Sequence, residues 1–170
     1  MDPAATSKAG SDDTGIVVAG MDGRDHYYIL GDYTIHEIPQ KWGEAAITAY
    51  HKHQANMIVG ETNNGGEMVE HTIKTIDQNI PFKAVHASRG KAIRAEPVSA
   101  LYEQGKVHHF GTFPELEDQC CEWVPGADKS PDRVEALVWA ISQLINIGIQ
   151  SEDTYETFTE ISFSSGGMRI

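Results

Sequence analysis

Cysteine is scarce in this chain. Two residues of 170 carry a thiol, and they are neighbours, Cys120 and Cys121. Adjacent cysteines are badly placed for an ordinary structural disulfide, and one such pair does not make a zinc site. The reading is two buried, free thiols in a reducing compartment. Long apolar runs are missing as well. No stretch approaches the roughly 20 residues that span a bilayer, and no signal peptide opens the sequence. Positive charge is the third deficit: 13 Lys and Arg stand against 25 Asp and Glu, a formal net charge of -12. That balance excludes a general nucleic-acid coat protein, which would be basic. It suits an enzyme that gathers carboxylates around cations, although most of the acidic excess is expected to be solubilising surface. A phosphate-binding Gly-x-x-x-x-Gly-Lys-Ser/Thr loop is also lacking. Gly90-Lys91 has neither the upstream Gly nor the following Ser or Thr, so no ATP site is expected. There are no internal repeats.

What is present fits one domain with its own core: 170 residues, 40% hydrophobic and 22% charged. After a small, polar opening over residues 4–13, residues 14–20 read as a strand. Asp22-Gly23-Arg24-Asp25 reads as a turn, and residues 26–30 as a second strand, so the pair makes a hairpin extended by residues 33–38. Pro39 opens a helix with Trp42, Ala45, Ala46, Ala49 and Tyr50 at helical spacing. Met57, Ile58 and Val59 form a short buried strand ending at Glu61. Asn63-Asn64-Gly65-Gly66 then turns the chain into a helix over 66–77. A strand follows at 82–86, and a helix at 95–104 with Pro97 near its start and Gly105 just beyond its end. The remaining elements are a short strand at 106–110, a short helix at 114–123, and a long apolar helix from Pro131, capped by Ser130, to about Ile147. Residues 150–170 read as a polar tail, irregular or partly ordered. Hairpin strands first and strand–helix units afterwards imply an α/β fold, a mixed β-sheet with helices on both faces.

The acidic residues fall where such folds place chemistry, at strand ends facing a crevice. Glu61 ends the buried strand. Asp2 precedes Pro3 at the opening of the chain. Asp132 begins the long helix, and Glu135 lies one turn on along the same face. Each has an ordinary alternative: a solvated strand-end Glu, a frayed terminal Asp, a helix-start Asp favoured by the macrodipole, a surface Glu beside Arg133. Converging, they would suit hard cations with oxygen ligands, Mg²⁺ or Mn²⁺. Arg89, Lys91 and Arg94 form the densest basic group and are candidate phosphate contacts. Of His108 and His109, alternation puts one inward as a structural histidine. Trp42, Trp123 and Trp139 are read as core or interface rather than base-stacking platforms.

Several ordered segments resemble the C-terminal nuclease domain of tailed-phage terminase large subunits, an RNase H-like fold. They are Asp2-Pro-Ala-Ala-Thr6, Asp13-Thr-Gly-Ile-Val-Val18, Ile58-Val-Gly-Glu-Thr-Asn-Asn-Gly-Gly-Glu-Met-Val69 and Val85-His-Ala-Ser-Arg-Gly-Lys91. Arg94-Ala-Glu-Pro97, Leu101-Tyr-Glu-Gln-Gly-Lys-Val-His-His109, Phe113-Pro-Glu-Leu-Glu-Asp-Gln119 and Ser130-Pro-Asp-Arg-Val-Glu-Ala-Leu-Val-Trp-Ala140 complete the set. Together they cover about residues 1–147. The resemblance implies a nuclease domain over 1–149 with a tail over 150–170. It implies catalytic, metal-holding acids at Asp2, Glu61 and Asp132, with Asp13 and Glu135 near the metals; Glu135 stands where relatives often carry Asp. It implies two Mg²⁺ or Mn²⁺ ions, double-stranded DNA as substrate, small terminase subunit and portal protein as partners, and the cytoplasm of a bacterial host. The fold's first strand would lie just before Asp2, where almost nothing precedes it, so that strand is expected to be truncated. A catalytically impaired DNA- or portal-binding fragment and another RNase H-like nuclease, such as a junction resolvase, stay open as alternatives.

Overall fold

The computed structural model describes residues 13–62, 66–124 and 131–155. The hairpin is β1 (Val17–Met21) and β2 (Tyr27–Asp32), paired antiparallel with one extra residue on β2 opposite Val18 and Ala19. Its loop is organised by Asp22. The carboxylate accepts the backbone N–H groups of Arg24 and His26 at 2.9 and 3.0 Å, and those bonds hold its pKa below the usual carboxylate value. The continuation expected over 33–38 is reduced to a single bridge, Thr14 to Ile35.

Helix α1 (Pro39–Lys52) starts on Pro39 and buries Trp42, Ala46 and Ala49, a stripe at the helical spacing of four and three residues. A strand–helix–strand unit follows: β3 (Ile58–Glu61), α2 (Gly66–Ile76) and β4 (Phe82–Val85), with β3 and β4 parallel in register Ile58–Phe82 to Glu61–Val85. Helix α2 closes the crossover with Val69 and Ile73, both fully buried. Next come α3 (Lys91–Glu103), β5 (Val107–His109), α4 (Pro114–Glu122) and α5 (Asp132–Tyr155). Strand β5 adds to β2 in parallel. The strands therefore form two ladders, β1-β2-β5 and β3-β4, and a groove of about 340 Å³ runs between β1, β3, α1 and α5.

Two apolar cores form. Ile16, Trp42, Ala46, Ile47, Ile58, Val69 and Ile73 join α1 and α2 to the strands. Tyr27, Ile29, Val98, Val107, Leu116, Leu137 and Ile141 join α3, α4 and α5 to β2 and β5. The segment entering β1 serves both cores, Ile16 in the first and Val17, Ala19 and Met21 against the second, as alternation along an extended chain requires.

Two boundaries depart from the sequence reading. Helix α3 begins at Lys91 rather than 95, and Pro97 sits in its middle. The carbonyl deprived of its partner by Pro97 belongs to Ile93, a residue 55% exposed, so the proline falls on the solvent side. Helix α5 continues past Ile147 to Tyr155, because Gly148 alone weakens a helix without stopping it. Residues 150–155, the first part of the expected tail, are therefore helical. The Ser130 cap and residues 156–170 lie outside the described residues.

The thiols also differ from expectation. Neighbours on a helix point about 100° apart, so only one can face the core. Cys120 packs against it and Cys121 is exposed. Burial pushes the Cys120 thiol up to about 11. Below the unfolded-state value both states hold this proton. Above it the folded state holds more protons than the unfolded one, so stability falls as pH rises from about 9 to 11. Native protein at pH 8 should therefore release one equivalent of thionitrobenzoate quickly and a second only on unfolding, and Cys120→Ser should flatten the loss of Tm between pH 9 and 11. Two fast equivalents would contradict the burial of Cys120.

Candidate active site

The site is built where β3 ends beside α5. Along β3, Ile58 and Gly60 are buried, while Val59 and Glu61 are half-buried. Thr62 then anchors the strand end. Its backbone N–H donates to the Val85 carbonyl at 3.0 Å, and its hydroxyl donates to the same oxygen at 3.2 Å. The Glu61 backbone is thus locked into the parallel ladder on the residues either side of it.

The Glu61 side chain is held from the other direction. The indole N–H of Trp139 donates to Glu61 Oε2 at 2.7 Å, a short bond to a carboxylate oxygen. Trp139 itself is almost wholly buried on α5. The guanidinium of Arg94 lies over its ring, Cζ 4.8 Å from the centroid. Arg94 Nη2 donates to Glu135 Oε2 at 2.6 Å, and its Nη1 donates to the Arg89 carbonyl, also at 2.6 Å. Lys91 Nζ stands 3.7 Å from Glu135 Oε1. A continuous polar path therefore runs Glu135, Arg94, Trp139, Glu61, and it joins α3, α5 and β3.

Asp132 lies two turns from Trp139 on the same helix, about 10 Å along the axis. Its position follows from two contacts. Gly15 lies so close to the start of α5 that a Cβ there would overlap the Asp132 carbonyl oxygen and stand 3.1 Å from Ala136 Cβ. Arg133 then ties the same turn to three segments. Its Nε donates to Asp32 Oδ2 at 2.9 Å, its Nη1 reaches Asp13 Oδ2 at 3.4 Å, and its backbone N–H donates to Gln119 Oε1 at 3.2 Å.

The structure brings Glu61 and the Asp132-bearing helix together, as β3 packs on α5. Asp2 lies outside the described residues. Asp13 is occupied by Arg133 and by His36, whose Nδ1 is 3.1 Å away. Glu135 is 4% exposed and bound to Arg94, an ion pair the sequence did not announce. Of the basic candidates, Arg89 and Lys91 are exposed, whereas the Arg94 side chain is 11% exposed and turned inward. Among the described residues no group of three His, Cys, Asp or Glu side chains is placed to hold a metal ion. The donor chemistry nevertheless suits a hard cation: the candidates are carboxylates, without the thiolate or imidazole sets that softer metals select. Sequence reasoning missed Trp139, Arg133 and Asp32 as organisers of the site. For Trp139 a signal existed, its position seven residues after Asp132 on one helix face.

His109, read as a candidate structural histidine, accepts that part. It lies between the Tyr102 hydroxyl at 2.7 Å and Glu117 Oε1 at 3.1 Å. No helix among the described residues is long and apolar enough to cross a membrane.

A family model described as the terminase RNaseH-like domain matches residues 1–144. No curated protein matches the chain in sequence. Among solved structures, the large terminase nuclease from thermophilic phage G20c is similar in fold. It has a TM-score of 0.51 and 12% identity, covering 78% of this chain and 83% of that one.

Because the Gly15 backbone touches the first turn of α5, Gly15→Ala must push that turn away. The expected outcome is a loss of about 1–3 kcal/mol in urea unfolding. Gly23→Ala, where a Cβ meets nothing within 4 Å, should leave the midpoint nearly unchanged. Equal midpoints for the two variants would refute the close approach.

Proposed function

The chain belongs to the terminase RNaseH-like domain family, and from that premise we propose a metal-dependent endonuclease domain that hydrolyses phosphodiester bonds of concatemeric double-stranded phage DNA during packaging. The observation that carries the reading is the Glu61 carboxylate, anchored at the end of a parallel strand and aimed by Trp139 from the helix that bears Asp132. Asp2, Glu61 and Asp132 are the proposed ligands of two Mg²⁺ or Mn²⁺ ions. When bound, such ions lower the pKa of water and stabilise the attacking and leaving oxygens of the phosphodiester. The chain's own part is to hold the carboxylates in place before substrate arrives. Glu61 is fixed through β3 and Trp139, and Asp132 through Gly15 and Arg133. Asp13 steadies Arg133 at the edge of the site, and Glu135 steadies Arg94.

Arg89 and Lys91, exposed at the start of α3, are the proposed phosphate contacts, with Arg94 as the buried base on which that turn rests. Contacts of this kind position DNA without reading sequence, so sequence preference should be low. Small terminase subunit and portal protein are the proposed partners within the packaging machine, and the bacterial host cytoplasm is the proposed location.

Glu61→Ala should abolish Mn²⁺-dependent plasmid nicking, a loss of about a thousand-fold or more, while circular dichroism and Tm stay close to the parent. Asp132→Asn should behave alike. Undiminished cleavage by Glu61→Ala would end the metal-nuclease reading. Preference for branched over linear duplex would move it toward a junction resolvase.

A further inference from the structure

The carboxylate at the end of β3 does not stand alone. One of its oxygens receives the Trp139 indole N–H at 2.7 Å. The indole ring cannot easily turn, because it is nearly buried and has the Arg94 guanidinium over one face. Arg94 cannot easily turn either. Two of its nitrogens are bonded, to Glu135 and to the Arg89 carbonyl, and its buried Nε has no hydrogen-bond partner among the described residues. An orphaned buried N–H is unfavourable by about 1–3 kcal/mol. The fold accepts that here while placing the guanidinium over the indole ring. Glu135 completes the stack from one turn before Trp139, on the same face of α5.

We infer that Trp139 is a positioning residue for Glu61, clamped in one rotamer by the Arg94–Glu135 pair, and that this stack sets the affinity of the site for its divalent cation. The inference rests on the reading of Glu61 as a metal ligand. The physical reasons are two. A carboxylate whose Oε2 is held by a fixed donor keeps its other oxygen turned one way, so less rotamer entropy is lost when a cation binds. Partners bonded to a metal-holding side chain commonly change affinity by about 10–100-fold when removed. The assignment also gives Arg94 and Glu135 a common task. Arg94 acts through Trp139 rather than on a DNA phosphate, and Glu135 acts through Arg94 rather than on the metal.

The test uses the full chain with Mn²⁺ for calorimetry and Mg²⁺ for NMR, without DNA. Trp139→Phe keeps the apolar bulk and removes the N–H. It should raise the Mn²⁺ dissociation constant about 10–100-fold with Tm near that of the parent. The Trp139 indole ¹⁵N–¹H resonance, assigned by its disappearance in Trp139→Phe, should move on Mg²⁺ titration. Its chemical shift in metal-free protein should move in Glu61→Gln, which loses the charged acceptor. Arg94→Met, which removes the clamp and leaves the indole N–H, should give a smaller rise in the dissociation constant. Parent-like Mn²⁺ affinity in Trp139→Phe, with binding abolished in Glu61→Gln, would overturn the positioning role and leave the metal reading standing. A parent chain that binds no Mn²⁺, or a Glu61→Gln variant that binds it undiminished, would overturn both.

Discussion

Everything in this molecule that bears on chemistry depends on how helix α5 is seated. The helix packs on β1, β2 and β3 and on α3 and α4, so it touches both strand ladders. Its buried face, Val134, Leu137, Val138 and Ile141, belongs to the core under β2 and β5. Burial of that stripe fixes rotation about the helix axis, since turning by one residue would swing it about 100° out of the core. Rotation alone does not set height along the axis. Height is set at the first turn, where Gly15 allows backbone to lie against backbone and Arg133 bonds to Asp32, Asp13 and Gln119. Core packing and end anchoring together determine where Asp132, Glu135 and Trp139 arrive.

The buried pair Arg94–Glu135 is best understood in that frame. Buried ion pairs are weak contributors to net stability, because desolvation offsets most of the attraction, whereas removing one partner is strongly destabilising. Such a pair is informative about specificity of arrangement rather than about stability. Here it bonds the start of α3 to α5 at one height. The Arg89–Lys91 turn is thereby tied, through Arg94, to the helix whose Trp139 bonds Glu61. An apolar pair of equal volume would pack α3 on α5 without setting that height.

The element order was legible in the sequence because each element carries a local signal. Pro39 begins α1 and Pro114 begins α4; the Asp22 turn joins β1 to β2; the apolar triplet Met57-Ile58-Val59 marks β3. Glu61 was legible as a strand-end carboxylate for the same reason, being the last residue of a short apolar strand. The start of α3 was not, because Pro97 resembles a first-turn proline and only the exposure of Ile93 makes it tolerable inside a helix. The partners of Glu61, Asp132 and Glu135 were not legible either. Trp139 bonds 78 residues back to Glu61, Arg133 bonds 101 back to Asp32, and Arg94 bonds 41 ahead to Glu135. No local pattern encodes a contact across such separations. A buried tryptophan on an apolar helix looks like core until its N–H is found on a carboxylate.

That distinction between basic residues also bears on how an acidic chain approaches a polyanion. With a formal net charge of -12, the long-range field repels DNA, and screening over about 8–10 Å at physiological salt leaves only local charge to act. Arg94 contributes little to that local field, since Glu135 neutralises it inside the fold. Lys91 sits farther from Glu135 and is half exposed, so it keeps most of its charge for a ligand, and Arg89 beside it is exposed as well. Among the described residues, the positive charge left to a phosphate backbone at the start of α3 is therefore narrow, the Arg89 and Lys91 side chains together with whatever cations the carboxylates hold. Contact with DNA on these terms is weak by itself. For the nuclease proposed above, that suits a domain brought to DNA by its partners better than one that must search for it alone.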